Sequence, residues 1–330
     1  MYAIRTENLI RSFGKLKAVD GLSLEVPTGT VFGFIGPNGS GKTTTIRLLL
    51  GLLDPDGGKA EVLGFDTVIQ PDQIRARCGA LLEYNGLYER LSAEDNLDYY
   101  GRIWQMSKSE RETRIHQLLA PLDLFDRRKE PIGLWSRGMK QKLAVARTLM
   151  HRPNLIFLDE PTAGLDPVAS AALREDLKSL AQREGVTIFL TTHNLADAEK
   201  LCSRVGVINH GQLLAIGSPE ELRSSTSAPR LYLTGKFPQQ AIEQIRANPL
   251  VKKIEVDSNS LILDLTDLGR SHEIVTLLVR SEAELDEVRK EKADLEEVFL
   301  SLVEEERQVG NDPGHYYCYM ERATGDVCTG

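Results

Sequence analysis

The sequence predicts an α/β fold built on a mostly parallel sheet, followed by a small α+β C-terminal domain. Short β-branched and aromatic runs with few charges recur across residues 1–217, and helical stretches intervene between them. Past a stretch rich in Ser, Thr, Pro and Ala at 218–230, strand-like and helix-like segments resume in a different order.

The strands come first. Val31-Phe-Gly-Phe-Ile35, Leu155-Ile-Phe-Leu158 and Val186-Thr-Ile-Phe-Leu190 have the pattern of strands buried on both faces of a parallel sheet. Lys42–Leu50, Ser109–Leu119 and Val168–Arg183 carry helical spacing, and the alternation defines a domain over 1–217. The composition of 218–230 reads as a linker. Beyond it, Leu231–Thr234, Lys253–Asp257 and Leu261–Leu265 read as strands, and Gln239–Ala247 and Ser271–Ser281 as helices. A further strand, Glu284–Arg289, precedes the helix Ala293–Leu302, and the order suggests a split-βαβ sandwich over 231–304. Residues 305–330 form a polar, then aromatic tail with no recognisable period, in which His315, Cys318 and Cys328 are scattered candidates for a metal.

Composition excludes several classes of function. The 330 residues are 41% hydrophobic and 27% charged, ordinary values for a globular chain of about two domains. A net charge of −8 argues against a nucleic-acid partner, which usually demands a basic field. No apolar run approaches the ~18 residues that span a bilayer; the greasiest stretch, Ile46–Leu53, contains Arg47 and Gly51. The N-terminus lacks signal-peptide architecture, and the four cysteines show no CxxC spacing, so a cytoplasmic protein with reduced thiols is expected.

The chemistry concentrates in Gly36-Pro-Asn-Gly-Ser-Gly-Lys-Thr43, a GxxxxGK[ST] phosphate loop between the Val31–Ile35 strand and the Lys42 helix. Glycines allow successive backbone N–H groups to converge on one anion, and the helix N-terminus adds partial positive charge there. Gly36, Asn38, Gly39, Ser40, Gly41, Lys42, Thr43 and Thr44 are therefore the nucleotide-binding candidates, with Lys42 on the β- and γ-phosphates and the Thr43 hydroxyl on Mg²⁺. Chance occurrence of this pattern in a chain of this length is on the order of one per cent. The strand Leu155–Leu158 delivers Asp159, a second Mg²⁺ ligand, and then Glu160, a candidate general base for the attacking water.

With these motifs the domain resembles the ATP-binding subunit of an ABC transporter, a P-loop NTPase with a mixed sheet and a helical subdomain. Trp135-Ser-Arg-Gly-Met139 and the helix after it resemble the family's signature, Ala163-Gly-Leu-Asp166 its D-loop, and His193 its switch histidine. Phe13 falls where an aromatic stacks on adenine. The resemblance implies that Ser136 and Gly138 reach the γ-phosphate held by an opposite subunit, in a head-to-tail homodimer. It also implies ATP and Mg²⁺ as cofactors, an integral membrane permease as partner, and residence on the inner face of the cell membrane through that permease. Ala293-Asp-Leu-Glu-Glu-Val-Phe-Leu300 resembles the end of an accessory domain of exporter-type members, whose cargo is a drug, a peptide antibiotic or a lipid-like molecule.

Two positions depart from the family pattern. Glu83 stands where Gln is usual and makes a hard-cation ligand in place of an amide. Arg137 occupies a position most often held by Gly. Tyr84, Tyr88, Tyr99, Tyr100 and Trp104 crowd one short segment, read both as the core of the helical subdomain and as a groove gripping a permease helix. A soluble ABC-type ATPase that remodels ribosomes or DNA is the alternative function. A single cassette, the negative charge and the short Lys42-to-Asp159 spacing argue against it.

Overall fold

The computed structural model describes residues 1–226, 230–257, 259–291 and 294–309. They divide into a unit ending at Ser218 and another beginning at Pro219. The strands of the first unit are β1 (Tyr2–Phe13), β2 (Leu16–Pro27), β3 (Val31–Ile35), β4 (Gly57–Val62), β5 (Phe65–Asp66), β6 (Cys78–Leu81), β7 (Leu155–Asp159), β8 (Thr187–Thr192), β9 (Arg204–Asn209) and β10 (Gln212–Gly217). Its helices are α1 (Lys42–Leu49), α2 (Pro71–Arg75), α3 (Ala93–Ile103), α4 (Lys108–Leu119), α5 (Arg137–Thr148), α6 (Pro167–Glu184) and α7 (Leu195–Leu201).

These strands make two sheets, in the orders β2-β1-β4-β5 and β10-β9-β3-β8-β7-β6. The first corrects the expectation of strand–helix alternation from residue 1, because β1 and β2 pair antiparallel as a hairpin. Its local signals are a period-two alternation in β2, where buried Leu22, Leu24 and Val26 alternate with exposed Ser23 and Glu25, and a turn at Gly14 with φ 60°.

The second sheet is parallel from β9 through β6, as the apolar runs predict. Its register sets Phe32, Phe189 and Phe157 side by side on β3, β8 and β7. The Phe189 ring lies 5.5 Å from Phe32 and 5.6 Å from Phe157. Full burial of each ring is worth roughly 2–3 kcal/mol, and a one-residue slip would carry a ring to the opposite face of the sheet and break this packing. The same register brings Ile35 level with Thr192 and Asp159 level with Thr191, so three strands discharge their loops at one edge.

Helices α3, α4 and α5 form the segment between β6 and β7. Ser92 caps α3 by accepting from the Asp95 N–H, and Ser107 with Glu110 forms a capping box on α4. The core here is Leu97, Ile115, Leu118 and Leu143, all buried. Tyr84, Tyr88, Tyr99 and Trp104 are not part of it; each is exposed.

One histidine beside this cluster, His151, is half-buried in surroundings that favour its neutral form. The His151 ring stacks on Trp104 at 3.9 Å, and its Nε2 lies 3.1 Å from the Cys78 carbonyl oxygen. Burial pushes its pKa down to about 4, from an ordinary value of 6.5. The folded state therefore resists a proton that the unfolded chain accepts. Stability present above pH 6.5 is lost as pH falls through the window from 6.5 to about 4. The full effect would be ~3 kcal/mol, and partial solvent access reduces it to about 1–2 kcal/mol. Urea midpoints at pH 7.5 and pH 4.5 check this: His151→Phe should lose correspondingly less stability on acidification than the parent. An equal loss in both proteins would refute it.

The second unit comprises α8 (Pro219–Thr226), β11 (Arg230–Lys236), α9 (Gln239–Arg246), β12 (Val251–Asp257), β13 (Ser260–Leu265), α10 (Ser271–Arg280), β14 (Glu284–Glu291) and α11 (Leu295–Val309). Its sheet runs β12-β13-β11-β14 with antiparallel neighbours. Leu231, Leu233, Leu261 and Leu263 pack from this sheet against Ala241, Ile245, Ile274 and Leu278 of α9 and α10.

Two boundaries differ from expectation. The stretch 218–230 carries helix α8 and the first residue of β11, because Pro219, two acids in the first turn and Arg223 in the last supply helix signals that composition alone hid. The tail expected from residue 305 is helical through Val309, where Glu304, Glu305, Glu306 and Arg307 are strong helix formers. His315, Cys318 and Cys328 lie outside the described residues.

Candidate functional site

Between β3 and α1 the chain makes a tight loop. Gly39 and Gly41 hold φ of 82° and 104°, conformations open to glycine and costly for other residues. A Cβ at Gly36 would come within 2.2 Å of the Ile208 carbonyl oxygen, and one at Gly41 within 2.1 Å of that of Ala18. Neighbouring strands β9 and β2 thus hem the loop so closely that only glycine fits. Ser40 is buried, and its Oγ has no hydrogen-bond partner among the described residues. An anion seated in the loop would satisfy it.

Three strand ends meet this loop. Lys42, 6% exposed, donates from Nζ to the carbonyl oxygens of Gly36 at 2.7 Å and Pro37 at 3.0 Å. The same ammonium lies 3.4 Å from Glu160 Oε1. Thr43 Oγ1 donates to Asp159 Oδ2 at 2.7 Å, and Thr191 Oγ1 to Asp159 Oδ1 at 2.5 Å. Glu160 Oε2 lies 2.9 Å from His193 Nδ1. A hydroxyl and a carboxylate of this kind suit a hard cation, so the donor set fits Mg²⁺.

Glu160 itself is bent out of the strand. Its φ is 49°, which for a non-glycine residue costs on the order of 1 kcal/mol or more. Its N–H is held at 3.1 Å by both the carbonyl and the hydroxyl oxygen of Thr191. The bend turns the carboxylate back toward Lys42 and His193 instead of along β7. Thr191 is the residue that sequence reading passed over; the only local sign was a Thr pair at the end of an apolar strand.

Other candidates stand apart from this centre. Asn38 and Glu83 are exposed, and Thr44 is half-buried in the first turn of α1. Glu83 leaves β6 at the edge where β7 delivers Asp159, since Leu81 is level with Leu158. Phe13 closes the β1–β2 hairpin opposite Leu16, exposed, with the Arg11 guanidinium 5.0 Å from its ring. Ser136 caps α5 by accepting from the Met139 N–H at 3.2 Å, and among the described residues no hydrogen bond joins it to the phosphate loop. Gly138 follows in the first turn of α5. Asp166 caps α6, accepting from the N–H groups of Val168 and Ala169 at 3.0 and 2.9 Å.

A family described as ABC transporter matches residues 19–163. The chain is 35% identical to the daunorubicin resistance ATP-binding protein DrrA3 of Streptomyces coeruleorubidus, over 93% of this chain and 98% of that one. The chain belongs to the ABC transporter family of ATP-binding proteins. It is also 34% identical to the bacitracin transport ATP-binding protein BcrA of Bacillus licheniformis, over 91% of this chain and 97% of that one. The solved structure of cbiO1 from Clostridium perfringens shares the fold, with a TM-score of 0.64 and 24% identity over 68% of this chain and 91% of that one.

The family membership makes this ABC protein an ATP-binding, ATP-hydrolysing subunit of exporter type. The match to these ATP-binding proteins runs along almost their whole length, which favours transport over the remodelling alternative. No helix among the described residues is long and apolar enough to cross a membrane.

Proposed function

We propose that two copies of this chain close head to tail on ATP and drive a separate membrane permease that exports a drug, a peptide antibiotic or a lipid-like molecule. The observation that carries the reading is the convergence of Lys42, Thr43, Asp159, Glu160 and His193 at one sheet edge, joined by direct contacts. Gly36, Gly39, Ser40 and Gly41 would cradle the phosphates through backbone N–H groups, with Asn38 and Thr44 at its margins and Phe13 under the adenine. Thr43 and Asp159 would hold Mg²⁺, with Glu83 as a further ligand. The cation, when bound, neutralises charge on the phosphates. Glu160 takes the proton of the attacking water, and His193, anchored on that carboxylate, contacts the γ-phosphate.

The other half of each site belongs to a second copy. Ser136 and Gly138 sit at a helix N-terminus, a natural place for an anion, and the D-loop ending at Asp166 lies beside them. A γ-phosphate bridging two chains explains why hydrolysis would reopen the pair. Exposed Tyr84, Tyr88, Tyr99, Ile103 and Trp104 form the apolar face that docks a cytoplasmic helix of the permease and holds the subunit at the inner membrane face. Purification of the tagged chain from detergent-solubilised membranes tests this. A stoichiometric polytopic partner should co-purify, and Tyr84→Ala with Trp104→Ala should release it. Recovery of the chain without any such partner would defeat the proposal.

A further inference from the structure

We infer that Arg137 and Gln141 act as a clamp from the signature helix onto the turn that follows Glu160, which makes Arg137 a positioning residue for the base of its own chain. The inference rests on the ATPase reading above. Arg137 and Gln141 are one helical turn apart on α5 and share a face. Gln141 Nε2 donates to the Pro161 carbonyl oxygen at 2.8 Å, and Arg137 Nη2 to that of Ala163 at 3.1 Å. Gly164, at φ 68°, lies against the guanidinium: a Cβ there would come within 2.3 Å of Arg137 Nη1.

Within the held turn the Ala163 N–H donates to the Glu160 carbonyl oxygen at 3.1 Å and the Leu165 N–H to that of Thr162 at 3.2 Å, so its shape is local, and the two clamp bonds tie that shape to α5. Pro161 and Thr162 are buried, whereas Ala163 and Gly164 are exposed. On one side stands Glu160 in its left-handed bend, and on the other Asp166 capping α6. A tip that wanders lets the Glu160 carboxylate wander with it, and small misplacements of a reacting group cost about tenfold or more in rate. The phosphate loop and Lys42 take no part in the clamp, so nucleotide affinity should not follow. The planar fork of arginine can bond a carbonyl while lying flat on a glycine, which the point charge of lysine cannot reproduce.

Arg137→Ala should lower kcat about tenfold with ATP affinity within twofold of the parent, and Arg137→Lys should restore only part of the rate. Gly164→Ala should expel the guanidinium, so it should cost several-fold more in the parent than in Arg137→Ala. In a Glu160→Gln background, Arg137→Ala should leave the ATP-trapped dimer intact, which separates positioning of the base from closure of the pair. A kcat within twofold of the parent would overturn the clamp. So would equal costs of Gly164→Ala in both backgrounds, or loss of the trapped dimer. Hydrolysis surviving in Glu160→Gln alone would instead remove the assignment of the base, on which the clamp depends.

Discussion

Glu160→Gln should slow ATP hydrolysis by about two or more orders of magnitude while leaving ATP binding intact, as expected for loss of a general base. The amide keeps the shape of the carboxylate. Its oxygen can face Lys42 Nζ, which lies 3.4 Å from Oε1, and its NH₂ can donate to His193 Nδ1, 2.9 Å from Oε2, at the cost of the long 3.4 Å bond that Oε2 accepts from the His193 N–H. Lys42 retains its two carbonyl partners, so the buried cation is not stranded. What is lost is the capacity to accept a proton, together with the negative charge beside Lys42. With hydrolysis blocked, the bridging phosphate persists, and the variant should accumulate as an ATP-dependent dimer. Single-turnover hydrolysis and light scattering at saturating Mg-ATP measure both effects. A rate within tenfold of the parent would move the base elsewhere, and a variant that stays monomeric would count against the shared site.

Lys42→Ala should act one step earlier and weaken ATP binding itself by about a hundredfold. Charge-assisted hydrogen bonds contribute roughly 1.5–3 kcal/mol each, and the ammonium is the buried cation closest to the loop's anion site. Its removal also leaves the Glu160 carboxylate facing a polyanion without its ammonium partner. Titration with a fluorescent ATP analogue reads the loss, and an unchanged thermal melt would show that the fold survives. Affinity within threefold of the parent would refute the role given to Lys42. The two variants thus separate binding from chemistry at positions whose side chains are neighbours.

Several features of the fold were legible because they are local. The apolar runs that became β3, β7 and β8 are compositionally unlike anything around them, and their parallel pairing follows from burial on both faces. The phosphate loop was legible for the same reason, since its glycines answer to backbone geometry within a few residues. The β1–β2 hairpin was missed although its alternation is present in β2, because β1 carries register shifts that blur the period. Helix α8 was hidden by a Ser- and Thr-rich composition whose order, not content, carries the helix signals.

The sequence by itself determined which chemistry is available: a glycine cradle, a lysine, a hydroxyl and two adjacent carboxylates, each in a stretch short enough to be read along the chain. Only the tertiary structure decided which atoms meet. Thr191 anchors Asp159 and bends Glu160, and Arg137 reaches Ala163 across a gap of 26 positions in sequence. Such contacts depend on strand register and on where helices settle against a common sheet. Those are outcomes of packing many buried side chains at once, and no window along the chain contains them.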